Sequence, residues 1–246
     1  MASMNLAPLN RKELLDVAKL AEVAERYDDV AYIMKDLWTR FKSERSFDSE
    51  ERDQFIIGFK NAVTIRRTSW KNLNALLESG QRSAVQRQSI LRAYMQNIES
   101  EIVVLCNDVL RIVNDLLGMA DDVISRSIFL KTKADYFRYL AEVKVDPERA
   151  LCVGVAQDAY KEAYQLARTH LTPTDPVALG IFLNYSMFCH EFLLDRSVGV
   201  EIAKNAFDEA VAELDAISEE RHRDATLILK IIRENLELWR LQAGHS

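Results

Sequence analysis

Glycine and proline are scarce, at 7 and 4 of 246 residues. A sheet protein needs turn residues every few positions, so this scarcity excludes a many-stranded fold and points to long helices with few connections. No run of roughly eighteen apolar residues occurs, and the opening M-A-S-M-N-L-A-P lacks the hydrophobic region of a signal peptide. A soluble protein of the cytoplasm, with the nucleus as a second compartment, is the expectation. Cysteine is equally sparse. Cys106, Cys152 and Cys189 lie in apolar helical contexts without metal-ligand spacing, so buried free thiols in a reducing compartment are expected. Positive charge is not in excess either: the formal net charge is −6. That balance argues against general nucleic-acid affinity, and any anion site must be local.

The motifs of several enzyme classes are missing as well. There is no G-x-x-x-x-G-K-[ST] and no G-x-G-x-x-G, so nucleotide phosphates cradled by backbone are not indicated. His190-Glu191 begins a zinc-protease pattern, but Leu194 stands where the second histidine belongs. Glu219 and His222 fit half of a di-iron carboxylate motif that has no second half here. His170, His190, His222 and His245 are otherwise scattered. No catalytic constellation, metal site or cofactor is expected.

What is present is helical periodicity. Asn10 is placed to cap a helix carrying Leu14, Val17, Ala18 and Ala21. A second runs from Tyr27 to about Phe41. Asp48 or Ser49 caps a third, with Glu50 and Glu51 in its first turn, that reaches about Gly80. A fourth spans about Gln86 to Leu117, and a fifth Ser125 to Val143. Asp146-Pro147 and Asp175-Pro176 each read as an N-cap followed by proline, starting the sixth and seventh helices. The eighth covers about Arg196 to Leu214 and the ninth about Arg221 to Leu241. The expectation is an all-α protein with residues 1–9 as a disordered lead, one helical domain over 10–242 and a short tail at 243–246.

In the fifth helix, Leu130, Ala134, Phe137 and Ala141 form an apolar stripe, and Lys131, Asp135 and Arg138 a polar one about 100° around the cylinder. An arginine with an aspartate one turn earlier and Tyr139 beside it suits an anion site, because the carboxylate orients the guanidinium and the phenol adds a donor. The ordinary state of such a stripe is a solvated surface. A second basic stretch lies upstream, where Lys60 and Arg67 stand two turns apart among Phe55, Phe59, Val63 and Trp70. Downstream, Leu183, Asn184 and Met187 share one side of the seventh helix, and Leu227, Ile231, Asn235 and Trp239 recur at steps of four in the ninth. An asparagine in an apolar stripe needs a partner, since an unpaired buried amide costs about 1–3 kcal/mol. Either a neighbouring helix or a ligand backbone could supply it.

These segments resemble the 14-3-3 family in order and over nearly the whole chain. They run from A-K-L-A-E-V-A-E-R-Y-D-D-V (18–30) through G-F-K-N-A-V-T-I-R-R-T-S-W, L-K-T-K-A-D-Y-F-R-Y-L-A-E-V and P-T-D-P-V-A-L-G-I-F-L-N-Y-S to R-E-N-L-E-L-W, ending at Trp239. The resemblance implies a nine-helix, cup-shaped subunit with a concave groove for segments containing phosphoserine or phosphothreonine, in a non-enzymatic adaptor of client proteins. It implies that Lys60, Arg67, Arg138 and Tyr139 hold the phosphate, with Asp135 and Lys131 orienting the pocket. Asn184 and Asn235 would bond the ligand backbone, and Leu183, Met187, Leu227, Ile231 and Trp239 would form the apolar wall, with Glu191 on the facing helix.

The resemblance further implies a dimer, with itself or with a paralogue, through Leu20, Ala24, Leu73, Leu76 and Tyr94. Arg26 and Glu101 would make one cross-subunit ion pair, while Asp29 faces Asn97 where a basic partner is usual. Ser69, in R-R-T-S-W, resembles a site for a basophilic kinase, whose phosphate would favour monomers. The chain departs from the family pattern at Ile56–Ala62, at Asp53, and at Lys230, Glu234, Glu237 and Arg240. Rival expectations are a divergent member that binds unphosphorylated segments, a helical-repeat scaffold and a metal-dependent bundle enzyme. The absence of a period of about 34 residues argues against the repeat.

Overall fold

Local chemistry at the helix starts sets much of the architecture. In the computed structural model, which describes residues 5–79, 87–214 and 219–243, Asn10 accepts from the Glu13 amide and Glu13 returns the bond to the Asn10 amide. This capping box opens α1 (Arg11–Val23), with Asn10 at the cap position the sequence predicts. Asp48 and Glu51 form another at the start of α3 (Ser49–Glu78), after α2 (Tyr27–Phe41). α4 (Gln88–Met119) follows. Then come α5 (Val123–Val143), α6 (Glu148–His170), α7 (Pro176–Glu191), α8 (Arg196–Glu213) and α9 (Glu219–Ala243). The described residues thus hold nine helices and no strand, the all-α arrangement expected. The first four residues, the tail beyond 243, and the helix limits expected at Gly80 and Gln86 lie outside the described residues.

One capping expectation needs correction. α6 starts at Glu148 and Pro147 occupies the cap position, where its side chain has no acceptor to offer. Asp175 does cap α7, accepting from the Val177 amide at 2.8 Å, with Pro176 in the first turn.

The helices group into two compact units, Met1–Met119 and Ala120–Ser246. In the first, α2 and α3 pack closely and α4 lies along α3. The core holds Leu14, Met34 and Leu37 with Phe55, Phe59, Ile102 and Leu116. Gly58 lets α2 and α3 approach, because a Cβ there would stand 2.5 Å from Cγ1 of Val30. Glu51 is buried in the first turn of α3, bound by Arg11 through Nε at 2.6 Å and Nη2 at 2.8 Å, and by Arg45 at 2.7 Å. Burial would raise its pKa, but those bonds and the Asp48 amide hold it below the usual range. Residues 5–9, part of the lead expected to be disordered, are clasped by Arg40. It donates to the carbonyls of Leu6 (3.1 Å), Ala7 (3.2 Å) and Leu9 (2.5 Å).

The second unit is built on α5, which packs against α6 and touches α7. The face of α6 turned to the core carries Ala156, Ala159, Ala163 and Ala167, small residues that allow close approach, with the large ring of Tyr160 among them. α7, α8 and α9 share a cluster of Leu179, Leu183, Ala203, Ala210, Leu229, Ile232 and Trp239. Cys106 and Cys189 are buried as expected, whereas Cys152 is half-exposed because it sits near the solvent-facing start of α6.

Candidate functional site

The polar stripe of α5 is not a solvated surface. Asp135 and Arg138 are only 6% and 8% exposed. Lys131 Nζ donates to Asp135 Oδ2 at 2.7 Å, one turn along the helix. Nη2 of Arg138 stands 3.5 Å from Asp135 Oδ1. From α7, Asn184 Nδ2 donates to both carboxylate oxygens, at 2.8 and 3.0 Å. From α6, the Tyr160 hydroxyl donates to Asp135 Oδ1 and accepts from Arg138 Nε at 3.2 Å. The Arg138 guanidinium also lies 4.8 Å from the centre of the Tyr139 ring, within cation–π range. Three helices therefore converge on one carboxylate.

Electrostatics follow from this arrangement. Burial alone would raise the Asp135 pKa, but the charges of Lys131 and Arg138, with hydrogen bonds from Lys131 and Tyr160, hold it at about 2. Burial works against the charge on Arg138, and Tyr160 and Asp135 more than offset it, so its pKa is raised. Two cations, Lys131 and Arg138, surround a single carboxylate, which leaves the cluster with one positive charge in excess.

Beside it runs an apolar surface. Leu183 and Trp239 belong to the buried α7–α8–α9 cluster, and Met187 packs against them. Trp239 is thus covered rather than open, its ring stacked on His190 with centroids 4.4 Å apart and planes at 10°. Leu227 and Ile231 on α9 are 64% and 40% exposed. Asn235, between them and Trp239, has a buried Nδ2 without an acceptor among the described residues. Asn184 has found its partner on a neighbouring helix, and its Nδ2 is spent on Asp135.

The remaining predicted residues lie in the first unit. Lys60 is exposed and Arg67 half-buried on α3. Leu20 and Tyr94 are 69% and 58% exposed, Leu76 and Ala24 are exposed, and Leu73 is half-buried. Arg26 pairs within the chain with Asp29 at 2.5 Å, and Glu101 accepts from Arg66 at 2.7 Å, so both residues assigned to a cross-subunit pair already have partners. Ser69 is half-buried, its hydroxyl donating to the Ile65 carbonyl at 3.0 Å.

Sequence reasoning missed Tyr160 and the stacking role of His190. A tyrosine in a row of alanines was the available signal, because a buried phenol requires a partner for its hydroxyl.

The 14-3-3 protein family model matches residues 17–240. The 14-3-3 protein zeta of Xenopus laevis is 42% identical over 232 residues, covering 94% of this chain and 93% of that protein. The 14-3-3 protein beta/alpha of Bos taurus and that of Homo sapiens are each 39% identical, with the same coverage. With the all-α arrangement and with such similarity along its length, this chain belongs to the 14-3-3 family.

Proposed function

We propose that the protein is a non-enzymatic adaptor that binds phosphoserine- or phosphothreonine-containing segments of client proteins. The observation that carries this reading is the buried, positively charged cluster around Asp135. A phosphoserine brings a charge of about −2 and three acceptor oxygens. Asp135 and Tyr160 occupy the Nε and Nη2 side of Arg138, so the Nη1 side remains to meet an anion. Burial reduces screening there. The resemblance adds Lys60 and Arg67 to the cations that meet the phosphate, and Tyr139 as a further donor.

On the same reading, as the resemblance implies, Asn235 bonds the backbone of the bound segment, whose amides also meet Oδ1 of Asn184. Leu227 and Ile231 cover the apolar flanks of the ligand. Like charges facing one another without the phosphate would disfavour an unmodified serine.

Calorimetric titration of a phosphoserine peptide and its unphosphorylated twin tests the proposal. The phosphorylated form should bind far more tightly, and Lys60→Glu or Arg138→Ala should abolish the difference while far-UV circular dichroism stays helical. Equal binding of both peptides through the apolar residues of α9 would establish instead the divergent, phosphate-independent member.

Leu20, Ala24, Leu76 and Tyr94 offer an exposed apolar seam for the dimer that the resemblance implies. If Arg26 and Glu101 pair across it, they exchange Asp29 and Arg66 for each other. Exposed exchanges of this kind are worth roughly 0–1 kcal/mol, so apolar burial must hold the dimer. Native mass spectrometry of the wild type and Leu20→Glu reads this directly.

A further inference from the structure

Tyr160 is fully buried in the middle of α6, and its ring is fixed on two sides. It stacks on Tyr185 with centroids 5.7 Å apart and packs against Phe188 at 5.1 Å. A phenol has two torsions, so a ring clamped in this way puts its hydroxyl oxygen at one point. The single hydroxyl proton is committed to Asp135 Oδ1, which turns a lone pair toward Arg138 Nε at 3.2 Å. Asp135 Oδ1 itself stands 3.5 Å from Nη2 of the same guanidinium. The Nε–Nη2 edge of Arg138 is therefore bracketed by two oxygens of different kinds.

Removing the phenol oxygen would change that geometry. A free carboxylate takes a guanidinium edge as a pair of parallel bonds. Without the hydroxyl, Asp135 Oδ1 would gain a free lone pair next to Nε, and the guanidinium would swing onto the carboxylate. We propose that Tyr160 is a positioning residue for anion recognition: its hydroxyl, shared between Asp135 and Arg138, holds the guanidinium off the carboxylate and presents the opposite edge to the phosphate. This inference rests on the reading of Arg138 as a phosphate ligand. The phenol stays protonated in this role, because burial, and then the Asp135 charge, push its pKa up.

The test is calorimetry of a phosphoserine peptide and its unphosphorylated twin with wild type, Tyr160→Phe, and a chain carrying 3-fluorotyrosine at 160. Tyr160→Phe should weaken the phosphopeptide by about tenfold, the scale of one hydrogen bond to a charged group, and leave the unphosphorylated peptide unchanged. The fluorinated ring keeps the hydroxyl and should retain wild-type affinity. Equal loss for both peptides, or none for either, overturns the proposal. Failure of the wild type to discriminate between the peptides instead sinks the phosphopeptide reading itself.

A second measurement needs no substitution at 160. The Arg138 Nε–H resonance of the wild type should be slowly exchanging in the free protein and persist on addition of phosphopeptide, while the Nη resonances shift. Fast exchange of Nε–H in the free protein, or its loss on binding, also overturns the proposal.

Discussion

Asp135→Asn isolates the charge at the centre of the α5 cluster, because it keeps the side-chain shape and one acceptor oxygen. The carboxylate accepts from Lys131, Tyr160 and Asn184 and pairs with Arg138. These partners hold its pKa at about 2 rather than the usual 3.8, against burial. At about 1.4 kcal/mol per factor of ten, that depression corresponds to about 2–3 kcal/mol of folding free energy at neutral pH. The sign is that of a depressed acid: the contribution is complete above 3.8 and is lost as pH falls through about 2. The asparagine also leaves the buried Arg138 without a counter-charge, and removing one partner of a buried pair costs about 3–5 kcal/mol. The two figures describe the same charge and overlap, so the expected loss at pH 7 is about 3 kcal/mol. Urea unfolding followed by circular dichroism, repeated from neutral pH down to about 2.5, reads it. The gap between wild type and variant should narrow once pH drops below 3.8. A gap under about 1 kcal/mol at pH 7, or one that does not change with pH, would refute the reasoning.

Three further outcomes are expected. Gly58→Ala places a methyl 2.5 Å from Val30 Cγ1 and should cost about 1–3 kcal/mol, read as a thermal midpoint several degrees lower. His190 is kept neutral by burial and by the nearby Arg196, so its contribution is present above 6.5 and lost as pH falls through its lowered pKa. His190→Phe keeps the stack on Trp239 and should flatten the fall in urea midpoint between pH 7 and pH 5, roughly the window of histidine titration. Asn235→Leu removes a buried donor without an acceptor; it should stabilise the free protein by about 1 kcal/mol while weakening phosphopeptide binding in calorimetry.

Caps were the most legible part of the fold. Asn10, Asp48 and Asp175 carry side-chain acceptors placed where a helix has unpaired amides, and each makes the bond its chemistry dictates. Asp146 has the same chemistry but the helix beyond it starts at Glu148, one residue later than the pattern implies. The residue types of the candidate site were legible too, since Lys131, Asp135 and Arg138 fall on one stripe. Their burial was not, because periodicity within α5 does not reveal that α6 and α7 cover its polar side. The partners that make burial tolerable, Tyr160 and Asn184, lie 25 and 49 residues away along the chain. Asn184 shows the limit plainly: an amide in an apolar row announces a need for a partner, and only the fold says which.

The Arg40 clasp has a consequence for how the start of the chain tolerates change. Its guanidinium grips carbonyl oxygens of Leu6, Ala7 and Leu9, atoms every residue type possesses. Substitutions over that short segment can drift freely without loosening the anchor, apart from Leu6, whose side chain is itself buried. The vulnerability is concentrated in the anchor instead: a lysine at 40 has a single ammonium at the tip of a flexible stem, too compact to span three separated oxygens at once.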